Sequence, residues 1–346
     1  MPHHAHNPPR PLSPQNNPSS CKAFHSSGVI DLCLLLLDKG TDPSKSSAVK
    51  TLGNLCCDRD ARSAVSRMDT LPPLVTSLCR AKDPDVQIGS CQCIALAAAD
   101  PATAAAYVAA GAAAGVCALL KGSPETVSLA AAAAAAALTA IAGGAQQFVD
   151  NGGVSALKKA VAFGDSVKVA AVRALHQCVA LVPEAAVQAR DAGWLVVAQE
   201  LLAAPPAVAV EAAYACARLA CDATNRQQLT DLNVHVSVCS SVVAAKEGAG
   251  ARIALLLAVA ELARDCPDNV TYFMQQGAGG GGACSTCTPH VTLAPPPPPF
   301  APHASPLPLP PLHRSVVPHR EILRPLTPAS PARSSFPRNF IPHPRQ

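Results

Sequence analysis

Aromatic side chains are scarce in this 346-residue chain, which has seven Phe, three Tyr and a single Trp. A globule of this length built around one central core normally holds more of them. Charge is thin as well: Lys, Arg, Asp and Glu make up 14% of residues, against the usual quarter. No run of five or more Lys or Arg occurs, so the basic stripe of a nucleic-acid-binding protein is missing and nucleic acid is not expected as a partner. The longest apolar stretch, Leu129 to Ala142, is mostly alanine and falls short of the roughly 20 residues a membrane span needs. The opening Met1-Pro-His-His-Ala-His shows no apolar core of a signal peptide. G-x-S-x-G, H-E-x-x-H and G-x-x-x-x-G-K-[ST] are all absent, so neither catalysis nor a cofactor is expected.

The hydrophobic 49% is carried by Ala, Val and Leu, which suits thin helical layers packed closely. Proline is unevenly placed, with 6 in residues 1–20, 18 in residues 279–346 and 10 in the long middle. Pro-dense ends bury too little apolar surface to offset ordering entropy. The expectation is two disordered tails, 1–20 and 279–346, around a folded core at 21–278. The fifteen cysteines are an odd number without a regular framework. Cys33, Cys79, Cys117, Cys178, Cys216 and Cys239 fall inside apolar helical patterns, where a reduced thiol acts as a small hydrophobe. A reducing, cytoplasmic setting is expected, with a cytoskeletal or ciliary one as a variant.

The core repeats. Prolines at helix starts, Pro43, Pro84, Pro124 and Pro206, are 41, 40 and 82 apart. A small or polar residue precedes an apolar run at Gly28, Thr70, Gly111, Gly152, Gly193, Asn233 and Gly277, spaced by 42, 41, 41, 41, 40 and 44. Units close near Asp58, Asp100, Gly144, Pro183, Asp222 and Asp265. A period near 41 with helical spacing inside it means stacked supersecondary units that share one core. The unit reads as a short, a medium and a long helix, with Asp83 capping and Pro84 at the first position of the long one. The recurring Asp58, Asp60, Asp100, Asp222 and Asp265 read as caps and turn residues, not as paired catalytic carboxylates.

These units resemble the armadillo repeat. The matching segments are Ser27-Gly-Val-Ile-Asp-Leu-Cys-Leu-Leu-Leu-Leu with Ala48-Val-Lys-Thr-Leu-Gly-Asn-Leu55, and Val149-Asp-Asn-Gly-Gly-Val-Ser-Ala-Leu-Lys with Ala171-Val-Arg-Ala-Leu175. The resemblance implies an all-α, right-handed superhelical solenoid of about six three-helix repeats over residues 21–278. Its third helices would line a concave groove that takes an extended peptide or a helix of a partner protein.

Aligned on their closing positions, the third helices place Asn54, Leu96, Ala140, Gln177, Arg218 and Glu261 in register. Four residues earlier come Lys50, Gln92, Ala136, Arg173, Tyr214 and Leu257. An importin-alpha-like groove carries a ladder of Asn at the first position and of Trp at the second, and a beta-catenin-like groove is clearly basic. Neither pattern is present. The expected partner-binding groove is Lys50, Asn54, Gln92, Arg173, His176, Gln177, Tyr214, Arg218 and Glu261; ordinary solvated helix faces explain the same residues more plainly. Ala130 to Ala137 is an unbroken alanine run, and the helix holding it is expected to run about three residues longer than its neighbours.

Other constellations are weaker. Cys284, Cys287 and His290 have C-x2-C-x2-H spacing, but a structural zinc site wants a fourth ligand, so no metal is expected. Pro295–Pro299 and Pro306–Pro311 favour polyproline II, a ligand for SH3 or WW-type domains. The seventh unit begins at Val270 to Gly277 and is followed by Gly279–Gly282 instead of an apolar second helix. The break leaves Val259, Leu262 and Phe273 as candidates for an uncapped apolar end; either Tyr272 and Phe273 fold back as a minimal cap or the reading of the gene is broken there. The functional expectation is a non-enzymatic interaction scaffold or adaptor. The alternatives are a structural subunit of a cytoskeletal or ciliary assembly and a co-chaperone that clamps a chaperone.

Overall fold

The computed structural model describes residues 27–244 and 249–276, which form helices joined by short turns with no strand among them. The two Pro-rich ends, the zinc-type spacing and Gly277 lie outside the described residues. The first unit contributes α1 (Val29–Lys39) and α2 (Asp42–Leu55), its second and third helices. Five complete units follow. The second is α3 (Arg59–Ser66), α4 (Leu71–Leu78) and α5 (Pro84–Ala97); the third is α6 (Pro101–Ala109), α7 (Ala112–Gly122) and α8 (Glu125–Leu138). The fourth is α9 (Ala142–Asp150), α10 (Gly153–Ala160) and α11 (Asp165–Leu181); the fifth is α12 (Glu184–Asp191), α13 (Ala198–Leu202) and α14 (Pro206–Leu219). The sixth is α15 (Ala223–Asp231), α16 (Val234–Ala244) and α17 (Ala249–Ala263), and α18 (Pro267–Gln275) opens a seventh.

Local chemistry sets these boundaries. Three of the aspartates that close a unit cap the first helix of the next; the fourth, Asp265, has left-handed backbone (φ 52°) and caps nothing. Asp58 accepts from the backbone N–H groups of Asp60 and Ala61, Asp100 from Thr103, and Asp222 from Asn225. Asp83 does the same for the third helix α5, with Pro84 at its start. The hydrogen bond from the Thr103 N–H is the main reason the Asp100 carboxyl lies below its ordinary pKa. The marker between first and second helices is a left-handed backbone residue: Gly28, Gly111, Gly152 and Gly193 have φ between 72° and 79°, and Asn233 takes the role at φ 56°. A side chain other than Asn or Asp is strained there. Thr70 is the exception, with right-handed φ of −80°.

Each third helix packs chiefly on the third helices before and after it, in the order α2, α5, α8, α11, α14, α17. The close approach needs small residues on one side. A Cβ on Gly89 of α5 would lie 2.4 Å from Val49 Cγ2 of α2; the same register holds Ala130, Ala170 and Ala254 in other units. The six cysteines expected in apolar patterns are all buried. Polar ladders tie the first helices together: buried Asn225 donates to the Ala186 carbonyl (3.1 Å), and buried Asn269 donates to Thr230 Oγ1 (2.9 Å). The single Trp, Trp194, is buried and donates its indole N–H to the Val154 carbonyl one unit back, at 3.0 Å.

The alanine run corrects one expectation. Helix α8 has 14 residues, like α2, α5 and α14, and α11 with 17 is the longest. Ala140 lies in the turn after α8. The repeating burial pattern puts Ala137, not Ala140, in register with Asn54, and Ala133, not Ala136, in register with Lys50. A uniform alanine run offers no internal landmark, so an alignment on its far end slips by three residues.

Candidate functional site

All nine residues expected in the groove lie on third helices, and all nine are half-buried: none is core and none is fully exposed. Lys50 and Asn54 are on α2 and Gln92 on α5. Arg173, His176 and Gln177 are on α11, Tyr214 and Arg218 on α14, and Glu261 on α17. The structure gathers the later ones. It separates the earlier ones from them by α8, whose alanines carry no polar group at this level.

The centre is a residue the sequence reading passed over. Glu211 of α14 is buried. Its Oε1 accepts from Arg173 Nε at 2.9 Å and also from the second guanidinium nitrogen; its Oε2 lies 2.9 Å from His176 Nε2. Burial alone would raise the Glu211 pKa. The hydrogen bonds from His176 and Arg173, and their positive charge, outweigh that and hold it below the ordinary value. The imidazole of His176 in turn sits beside Tyr214, ring centres 5.7 Å apart. Burial first, and then the Glu211 charge, push the Tyr214 phenol up. Arg173 is therefore occupied by an internal partner and is not a bare groove cation.

Glu211 had a readable signal. It is 38 residues after Arg173 and 35 after His176, just short of one period. It also occupies the register of Gly89, the position that abuts the preceding third helix. An acid where the second, third, fourth and sixth units carry Gly or Ala needs a partner across that seam.

On either side the polar groups are also engaged. Gln177 Oε1 accepts from the Thr139 hydroxyl at 2.8 Å. Glu261 Oε1 accepts from Arg264 at 2.8 Å. Cys221, at the end of the same seam, has a thiol pushed up by burial and then by the Glu261 charge, against Arg218 and Arg264. Lys50 and Arg218 make no ion pair among the described residues. The surface thus alternates fixed polar clusters with two available cations.

Stacked three-helix units with a continuous layer of third helices define an α-solenoid. No protein-family model matches the chain, and no curated protein matches it. Solved structures do. A designed armadillo repeat protein, YIII(Dq)4CqI, is 21% identical with a TM-score of 0.61, over 67% of this chain and 98% of that one. A designed armadillo repeat protein in complex with the peptide (KR)4 is 18% identical, TM-score 0.59, over 67% and 98%. A computationally designed armadillo repeat protein for modular peptide recognition is 20% identical, TM-score 0.60, over 66% and 98%. The fold is that of the armadillo repeat, as the sequence segments implied.

Proposed function

We propose that this protein is a non-enzymatic scaffold whose third-helix face binds an extended segment of a partner protein. The observation that carries this is the cluster of half-buried polar side chains on consecutive third helices, Arg173, His176 and Gln177 on α11 with Tyr214 and Arg218 on α14. Arg173 and His176 are held by Glu211, and Gln177 by Thr139, in a register that repeats along the array. Preset side chains at regular spacing suit the backbone and alternate side chains of an extended chain, because little ordering cost remains on binding. The structural neighbours designed for, or holding, peptides support the same reading. The buried thiols support a reducing, cytoplasmic setting, and the Pro-rich end offers a second partner surface for SH3 or WW-type domains.

The experiment is selection of binders from a displayed random-peptide library, followed by calorimetry of the best peptide against Arg218→Glu, Gln177→Ala and Lys50→Ala. Loss of about tenfold or more in affinity for the first two supports the reading. Unchanged affinity for all three, in folded variants, rejects the groove. Arg173→Glu is unsuitable, because it sets a second carboxylate against Glu211.

A further inference from the structure

Three buried side-chain polar atoms among the described residues have no hydrogen-bond partner, and one of them, Oε2 of Glu261, belongs to the third-helix face. The other oxygen of that carboxylate accepts from Arg264 at 2.8 Å. A buried acceptor left unmet raises the free energy of the unbound protein. A ligand that donates to it recovers that cost.

One unit back, in the same register, stands Arg218 of α14. Its guanidinium makes no ion pair and no hydrogen bond among the described residues. After burial, the charges of Glu261, Arg218 and Arg264 are what act on the Cys221 thiol, which puts the three around one spot at the C-terminal end of α14. The thiol itself donates to the Ala217 carbonyl of its own helix, at 3.5 Å.

Arg218 and Glu261 ask for opposite things of one ligand: Arg218 for an acceptor, Glu261 for a donor. A carboxylate would meet Arg218 but set its charge against the unmet oxygen of Glu261. A Lys or Arg would meet Glu261 but face Arg218 and Arg264 as like charges. An apolar side chain would leave both groups unpaired. A carboxamide carries a C=O and an NH2 in one rigid plane and no net charge, so it answers both.

We infer that Arg218 and Glu261 form a carboxamide subsite, which selects an Asn or Gln side chain in the partner segment. C=O of the amide accepts from Arg218 and its NH2 donates to Glu261 Oε2. This rests on the groove reading above and adds a sequence preference to it.

The test compares the peptides selected from the displayed library on the full chain with those selected on Arg218→Met with Glu261→Met. The expected result is one position rich in Asn or Gln with the unmodified chain and no such position with the double variant. In the best peptide, changing that residue to Glu, Lys or Leu weakens binding by at least about tenfold. This peptide series on the unmodified chain is decisive even where the double variant folds poorly. Binders that are weakened by Gln177→Ala yet show no such position, or carry Asp, Glu, Lys, Arg, Ser or Thr there, overturn the subsite while the groove stands. A library that yields no binder sensitive to any groove substitution rejects both.

Discussion

Replacing Glu211 by glutamine keeps the side chain's size and removes its charge. The carboxylate accepts three hydrogen bonds from Arg173 and His176, and a hydrogen bond to a charged group contributes about 1.5–3 kcal/mol net. The Arg173 side chain is 32% exposed, so solvent already weakens that half of the cluster. The Gln amide can also turn its NH2 toward His176. The net loss at neutral pH is then about 2 kcal/mol. Because the folded-state pKa of Glu211 is depressed, its stabilisation is fully present above the ordinary carboxylate pKa. It is lost as pH falls through the folded-state value. The gap between wild type and Glu211→Gln is therefore widest at neutral pH and closes in acid. Trp194 is the single tryptophan and is bonded across the seam between the fourth and fifth units, the same seam that Glu211 clasps. Its fluorescence in urea titrations reads that seam locally, even where a repeat array does not unfold in one step. A gap below about 0.5 kcal/mol at neutral pH, or one that does not change in acid, refutes the reasoning.

Gly89→Ala places a Cβ 2.4 Å from Val49 Cγ2 and costs about 1–3 kcal/mol by overpacking; adding Val49→Ala recovers part of it, as a double-mutant cycle in urea would show. Asn225→Leu removes the donor to the Ala186 carbonyl (3.1 Å) and the acceptor for Arg190 (3.2 Å). It lowers stability by about 2–3 kcal/mol, whereas Gln227→Leu on the exposed face of the same helix changes it by less than about 0.5 kcal/mol. Burial holds the thiols of Cys178 and Cys216 up at about 12, so a thiol reagent at neutral pH modifies exposed Cys57 well before those two, which it reaches only on unfolding. Mass spectrometry of timed samples checks the order.

The fold was legible because three landmarks repeat for separate physical reasons. The closing aspartates cap, the glycines adopt left-handed backbone, and the prolines sit where a helix has no N–H to lose. Each marks a boundary without reference to tertiary contacts. The alanine run lacks such landmarks, and there the register slipped by three. That the nine expected residues share half-buried positions on the third helices was legible, because 3.6-residue spacing separates seam from surface. Their pairing was not, because Glu211 looks like any lone acid until the seam opposite Arg173 and His176 is known. The expectation of an uncapped apolar surface missed on its residues: Leu262 and Phe273 are buried and Val259 is half-buried. The sequence marks all three as apolar, and only the packing shows that the exposed apolar side chains of α17 and α18 are Ile253, Leu256, Val270 and Met274.

The most direct test of the groove is hydrogen–deuterium exchange of the full chain with and without a library-selected peptide. The account predicts slowed exchange concentrated in α11 and α14, extending to the end of α17, with the second helices α7, α10 and α13 unchanged. Protection confined to the second helices, or to α18 alone, would contradict it.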